Sequence, residues 1–410
     1  MLFPEAVLRE VEFNLANLQV ECKIAMMIAR SLLPNVLDLL GRRSSVVLLG
    51  PRQVGKTTLA IEISQKIESV YLDLEDPADL RKLADPGHYF GQMQGKLIVI
   101  DEVQRMPELF PVIRSQIDRN RRAGYRFGQF LLLGSAANDL LQQTSESLAG
   151  RVAYRELAPL MLGEVPADQL NRLWTNGGFP EAWLDPEHSL EWRDDFIRTY
   201  LERDIPALGI RIPATTLGRF WQMLAHNHGQ LFNASQIGGS LGVKGQMASR
   251  YLDILLDLML VRRLPAWHTN VGKRLIKSPK VYIRDSGILH ALLGIADNDD
   301  LLGHPIAGAS WEGMVIEHLI ASAPRNTAVS FYRTRAGAEI DLLLSRGNDV
   351  WTVEIKRNTA PTLTRGYYHA CEDIQPKRKL LIYPGNEQYE LKDGTLVSSL
   401  ESALNAIRAL

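Results

Sequence analysis

Val46-Val47-Leu48-Leu49-Gly50-Pro51-Arg52-Gln53-Val54-Gly55-Lys56-Thr57-Thr58-Leu59-Ala60 decides how the rest of the chain is read. Its apolar opening predicts a buried strand, two glycines frame a loop, and the run from Lys56 predicts the first turns of a helix. From Gly50 to Thr57 the loop satisfies G-x-x-x-x-G-K-[ST] at every defined position. Glycine lets the backbone curl until successive N–H groups converge on a phosphate, and the helix N-terminus adds the positive end of its dipole. Lys56 is placed to reach the β- and γ-phosphates, and Thr57 to offer its hydroxyl to Mg²⁺. The expected nucleotide contacts are therefore Gly50, Pro51, Arg52, Gln53, Val54, Gly55, Lys56, Thr57 and Thr58. A chance glycine turn would match the bare pattern, but not the strand before it and the helix after it.

Composition sets the frame. At 410 residues the chain exceeds one ordinary core and predicts two or three domains. Hydrophobic residues at 46% and charged residues at 23% place it among globular proteins. Net charge is −1, so any surface for a polyanion must be local. Two cysteines, Cys22 and Cys371, make neither a disulfide framework nor a zinc set, and a cytoplasmic location is expected. Charges at Glu5, Arg9, Glu10, Glu12, Glu21 and Lys23 break any signal-peptide or membrane-span pattern near the N-terminus.

Outward from the loop, Val70 to Leu74 reads as a short strand, and Asp76-Pro77 as a helix cap with proline in the first turn. Lys96-Leu97-Ile98-Val99-Ile100-Asp101-Glu102 is a fully apolar strand ending in two carboxylates. Asp101 is placed to hold Mg²⁺ opposite Thr57, and Glu102 to act as general base on water. Strand ends commonly expose acids, so the pair gains its meaning from the phosphate loop upstream. A helix is expected from Pro107 to about Arg122. Phe130-Leu131-Leu132-Leu133-Gly134-Ser135 is another buried strand, and ligands of open parallel sheets sit at strand carboxyl ends. Ser135 is thus a candidate sensor of the γ-phosphate or the water; an ordinary strand-to-helix turn is the alternative. Arg151 is a candidate for neutralising transition-state charge, in cis or across a subunit boundary; a solvated arginine on a turn has the same signature.

Several stretches together resemble one family. They are Gly50 to Thr58, Ile100-Asp101-Glu102-Val103-Gln104, Gly134-Ser135, Ser147-Leu148-Ala149-Gly150-Arg151, Gly177-Gly178-Phe179-Pro180-Glu181 and Tyr200-Leu201-Glu202-Arg203-Asp204-Ile205. The chain is similar to bacterial and archaeal AAA-type ATPases that carry a C-terminal domain of unknown function, DUF4143, and the likeness spans nearly its whole length. That resemblance implies an ATPase core with Asp101 and Glu102 as its Walker B acids, a helical lid around Gly177 to Glu181, and a ring or dimer. Ser135-Ala136-Ala137 departs from relatives that often carry further hydroxyl residues there, which weakens the sensor assignment.

Residues 215–265 read as three short helices and a strand. Leu217, Phe220, Trp221 and Leu224 form one apolar stripe, Asn233 is a cap, and Gly242-Val243 is a tight turn. Met247, Tyr251, Ile254, Leu255 and Leu258 form the next stripe, and the whole resembles a winged helix. Arg262, Arg263, Lys273, Arg274, Lys277, Lys280 and Arg284 follow with no acid among them and with Trp267, His268 and Tyr282 interleaved. DNA is the expected partner through residues 244–284 and the C-terminal domain. Against that stand Asp253 and Asp257 beside Lys244 and Arg250 on the would-be recognition helix, and winged helices also dock proteins.

Near the C-terminus, Trp311 to Ile320 predicts a helix that carries Glu312 on its apolar face, a costly place for an unpartnered carboxylate. Alternation puts Glu339 and Asp341 on one face of a strand, and Glu354 and Lys356 on one face of the next. This set resembles a PD-(D/E)xK nuclease core. Asp341 and Glu354 would hold Mg²⁺, Glu312 would orient water or metal, and Lys356 would stabilise the attacking hydroxide or the phosphorane. Ordinary surface charges on a half-exposed strand pair are the alternative. The expected class is α/β: a P-loop NTPase parallel-sheet core (residues 1–160), a helical lid (161–212), a winged-helix region (213–300) and a mixed α/β nuclease-like domain (301–410). Two functions compete. One is an Mg²⁺-dependent ATPase acting on DNA. The other is an ATP-controlled switch or scaffold whose nuclease-like domain is inactive and docks protein. A small-molecule kinase ranks third, because Glu102 beside Asp101 suits water activation.

Overall fold

All five residues of Ser45–Leu49, strand β1, are buried because both faces of the strand are covered. Val46 and Leu48 pack with Val36 and Leu39 of α1 (Leu33–Leu40) and with Leu59 and Ile63 of α2 (Lys56–Ser64). Val47 and Leu49 pack on the other side with Phe110, Ile113 and Ile117 of α3 (Leu109–Arg122). Period-two alternation between two apolar layers is what a continuous apolar run encodes in a parallel sheet. The computed structural model describes residues 28–135, 148–267 and 276–410. Expectations placed on Cys22 and the other N-terminal residues to 27, on Ala136, Ala137 and Ser147, and on His268, Lys273 and Arg274 lie outside them.

Four further strands join β1: β2 (Ser69–Asp73), β3 (Leu97–Asp101), β4 (Phe130–Gly134) and β5 (Val152–Glu156). All pairings are parallel and the order is β2-β3-β4-β1-β5. This is the α/β core of P-loop NTPases. β4 lies between the strand that launches the phosphate loop and the strand that ends in the acids, so Ser135 stands between them.

Helix α4 (Ser189–Thr199) runs into a π-helical turn, Tyr200–Asp204. Next come α5 (Ala214–His226), α6 (Ala234–Leu241) and α7 (Gly245–Asp257), then β6 (Val261–Leu264) paired antiparallel with β7 (Lys280–Ile283). Three helices and a hairpin thus follow one another in this region. Asn233 caps α6 by accepting from Gln236 N at 3.1 Å, and Gly242 ends it at φ +72°. Met247, expected in the apolar stripe, is exposed in the first turn of α7.

After α8 (Ser286–Leu292) and α9 (Ala307–Ser322) comes a six-stranded mixed sheet. β8 (Ala328–Arg333), β9 (Glu339–Arg346) and β10 (Asp349–Ile355) run antiparallel in sequence; β11 (Arg378–Ile382) adds parallel to β10. β12 (Tyr389–Glu390) and β13 (Leu396–Ser398) complete the sheet, and α10 (Arg365–Ile374) and α11 (Leu400–Ile407) flank it. One apolar cluster runs from Phe179 and Tyr200 through Trp221 and Leu255 to Val315, Leu344 and Val353. The helices from Phe179 onward and the C-terminal sheet thus share a core, whereas the parallel sheet has its own. Among the described residues no helix is long and apolar enough to cross a membrane.

Candidate functional site

At Gly50 the backbone must pass bare, because a Cβ there would stand 2.5 Å from Leu157 O. Gly55 adopts φ +94°, a left-handed conformation that side chains disfavour, and opens α2 without a side-chain cap. The first N–H groups of α2 have no intrahelical acceptor and suit an anion. Lys56 is buried and its Nζ donates to Gly50 O and Pro51 O, each at 2.9 Å. Burial pulls its pKa down to about 8, with Glu102 and Asp101 opposing the fall. Phosphate beside it would oppose that fall further and favour the ammonium.

Thr57 Oγ1 donates to Asp101 Oδ2 at 2.6 Å, so the residues expected to hold Mg²⁺ meet. A hydroxyl and a carboxylate oxygen on facing elements are ligands that a hard divalent cation accepts. Tyr71 also donates to Asp101 Oδ2 at 2.6 Å, and Glu102 N donates to Oδ1 at 2.9 Å. Burial and Asp101 push the Tyr71 hydroxyl well above its ordinary pKa, so it stays a donor. Nothing in the sequence marks Tyr71 except the alternation that puts it on one face of β2 with Asp73.

Glu102 leaves β3 at φ 51° and ψ 43°. A left-handed non-glycine residue costs on the order of 1–3 kcal/mol and is a frequent mark of functional sites. The turn aims its carboxylate at β4, where Oε2 accepts from Ser135 Oγ at 3.0 Å and from Gln104 Nε2. Gln104 Nε2 also reaches Ser135 Oγ at 3.1 Å. The geometry therefore brings together Lys56, Thr57, Asp101, Glu102 and Ser135, and adds Gln104.

Two arginines anchor the loop from outside. Arg30, 8% exposed, donates to Val54 O at 2.8 Å and to Ala158 O at 2.5 Å, so it rivets the loop to the segment after β5. Arg52 faces the π-helical turn: its N–H donates to Tyr200 Oη at 2.9 Å, and its guanidinium pairs with Asp204 at 2.5 Å and Glu75 at 3.2 Å. Tyr200 and Asp204 are both buried in the π-helical turn. The stretch Tyr200 to Asp204 thus closes directly on the phosphate loop.

Arg151 is not brought to this site. It precedes β5, and its carbonyl accepts from Ser45 N at 3.1 Å, at the start of β1. Five residues of strand, roughly 16 Å at 3.3 Å per residue, separate that edge from the loop. Its guanidinium makes a two-pronged pair with Asp118 at 2.8 and 2.9 Å. A role in cis is incompatible with this position.

The four C-terminal residues do converge, with unexpected company. Lys356 Nζ donates to Glu354 Oε1 at 2.6 Å, and Asp341 Oδ2 accepts from Ile355 N at 2.9 Å. From β7, Tyr282 donates to Glu312 Oε1 at 2.6 Å, and Lys280 pairs with Glu312 at 3.3 Å and Glu339 at 2.9 Å. Burial pushes Asp341 well above the usual carboxylate range, helped by Glu312 and Glu354 and opposed by Lys280 and Lys356. Burial likewise raises Glu354, against the pull of Lys356. Glu354 Oε2 is buried without a hydrogen-bond partner, an orphan that a cation would satisfy. Among the described residues, however, no three His, Cys, Asp or Glu side chains group as a metal set. Lys280 and Lys356 bring the positive charge from the chain itself.

Four described cations of the basic stretch expected to face DNA are spent internally. Arg262 and Arg284 both pair with Glu317, the latter at 2.9 Å, and Arg284 also pairs with Glu156. Lys280 is buried in the acidic cluster, and Arg263 pairs with Asp253 at 2.6 Å. Tyr282 is fully buried. Of the described cations in residues 262–284, Lys277 alone is exposed and outside an ion pair.

Comparison with known proteins follows this division. Residues 42–165 match the AAA domain family, 167–299 the domain of unknown function DUF8612, and 307–402 the domain of unknown function DUF4143. The chain is 45% identical over 356 residues to the uncharacterized proteins Rv2008c of Mycobacterium tuberculosis and Mb2031c of Mycobacterium bovis, spanning 86% of this chain and 79% of each relative. Among solved structures it resembles the Walker-type ATPase of Pyrococcus abyssi, at 14% identity and TM-score 0.46, over 65% of this chain and 96% of that one.

Proposed function

Since the chain belongs to the AAA-type P-loop ATPases that carry a C-terminal DUF4143 domain, we propose that it hydrolyses Mg²⁺-ATP at residues 50–58, Asp101 and Glu102, and that hydrolysis drives its helical and C-terminal parts on DNA. The observation that carries the first half is the meeting of Lys56, Thr57, Asp101, Glu102 and Ser135 at one edge of the sheet. Bound Mg²⁺-ATP supplies the phosphoanhydride and the metal's charge. Loop N–H groups and Lys56 would hold the phosphates, while Thr57 and Asp101 would hold the metal. Glu102, oriented by Ser135 and Gln104, takes the proton from water. Arg52 carries the nucleotide state to Tyr200 and Asp204, and the shared core makes the lid a lever on everything behind it. In a steady-state assay with Mg²⁺, Lys56→Ala is expected to abolish turnover; undiminished turnover sinks the assignment.

DNA as the object is supported by the winged-helix element order and by the nuclease-like set. One observation favours the second reading, a switch with an inactive nuclease-like domain that docks protein: Lys280 already sits among the acids. Cleavage assays separate the two. Mg²⁺-dependent cutting of duplex, single-stranded or RNA substrate that Asp341→Ala removes is the result expected of a nuclease. No cutting by the unmodified protein, with ATP turnover intact, leaves the switch.

A further inference from the structure

A cavity of about 550 Å³ opens between the β8–β9 turn and the first turns of α10, lined by Thr334, Arg335, Gly337, Arg365, Gly366 and His369 among others. We propose that it seats a backbone phosphate of a nucleic-acid strand, with Arg335 and Arg365 as its two clamps. This rests on the reading that the protein acts on nucleic acid, and it places the contact at one seat on the C-terminal sheet.

Local geometry builds the two walls. Gly337 turns at φ +91°, its N–H donates to Thr334 O at 3.2 Å, and Thr334 Oγ1 accepts from Ala338 N at 3.1 Å. This tight reversal holds Arg335 at its tip. Opposite, Thr364 Oγ1 caps α10 by accepting from Tyr367 N at 3.2 Å. A Cβ at Gly366 would come within 3.1 Å of Gly337 O, so glycine there lets the turn lie close against the helix and sets the gap between the arginines.

The charges are uncommitted. Arg262, Arg284 and Arg333 are all ion-paired, whereas among the described residues neither Arg335 nor Arg365 is. Two guanidinium groups lining one cavity supply the forked N–H donors that a phosphate takes. Arg365, Tyr368 and His369 stand at i, i+3 and i+4, on one face of α10. Tyr368 is 40% exposed and offers a ring on which a neighbouring base can stack. Position ties the seat to the acidic cluster, since β9 leaves the turn at Glu339 and reaches Asp341 roughly 10 Å beyond Ala338 at 3.3 Å per residue. A strand held by the arginines would pass the acids.

Fluorescence anisotropy of the full chain with labelled single-stranded and duplex oligonucleotides, over roughly 50 to 200 mM salt, tests this. The double substitution Arg335→Ala, Arg365→Ala is expected to weaken binding about tenfold or more and to flatten the salt slope by roughly 1–2, with nucleic-acid-free ATP turnover unchanged. Tyr368→Ala should weaken the single-stranded probe more than the duplex. A control pair, Arg198→Ala with Arg346→Ala, removes the same charge from elsewhere on the surface and should leave affinity unaltered. An unchanged slope in the double variant, or an equal loss in the control pair, overturns the pocket while leaving nucleic-acid action standing. Failure of the unmodified chain to bind any oligonucleotide overturns both.

Discussion

Glu102→Gln is expected to keep ATP binding within a few fold of the unmodified protein and to slow turnover by roughly 10²–10⁴-fold, the range of a lost general base. The substitution preserves shape. An amide oxygen can still accept from Ser135 Oγ, and glutamine meets the same left-handed backbone at φ 51°. What disappears is the capacity to take a proton. Kinetics should therefore show a fall in kcat with KM nearly unmoved, the signature of an interaction needed only in the transition state. Lys56→Ala should differ by weakening nucleotide binding as well. Ser135→Ala should be milder than either, because Gln104 continues to hold the Glu102 carboxylate. A raised KM with unchanged kcat for Glu102→Gln would recast Glu102 as a ground-state ligand.

Lys56, Glu102 and Ser135, though not Gln104, were legible beforehand for a physical reason. A strand buried on both faces reads as an unbroken apolar run, and a phosphate loop needs glycine at fixed offsets, so β1, β3, β4 and the loop announce themselves locally. Partnerships across the fold leave no such mark. Arg52 and Asp204 stand 152 residues apart, and Arg30 reaches Val54 and Ala158 from outside any motif. The ion pairs inside the basic stretch at 262–284 were hidden for the same reason. Charge counted in a window ignores Glu317, 55 residues from Arg262, and Glu156, 128 residues from Arg284. In the C-terminal part, alternation along β9 and β10 found Asp341, Glu354 and Lys356, but Lys280 and Tyr282 arrive from the hairpin of another region. The edge strand β12 spans two residues, too few for any period to show.

Glu317 is where that hidden network has its largest expected effect. The residue lies in α9, 3% exposed, and accepts from both Arg262 and Arg284. Arg284 in turn holds Glu156 at the end of β5, so Glu317 and its two arginines join α9, the β6–β7 hairpin and the parallel sheet. Removing one partner of a buried ion pair leaves the others uncompensated, a loss of about 3–5 kcal/mol. Glu317→Ala should lower the midpoint of urea unfolding accordingly, and a midpoint equal to that of the unmodified protein would remove the junction from the account. Acid provides a second check. Arg262 and Arg284 outweigh burial and hold the Glu317 pKa at about 2, below the roughly 4.3 of an unfolded glutamate. Between those values the unfolded chain binds more protons, so stability falls as pH falls. The contribution is complete above about pH 4.3 and disappears as pH approaches the folded value. Glu317→Gln removes this titration, so its stability deficit should be largest near neutrality and shrink below pH of about 4. Because the same carboxylate couples the sheet to the parts behind the lid, the variant should also turn over ATP with less response to whatever binds the C-terminal region, even where it remains folded.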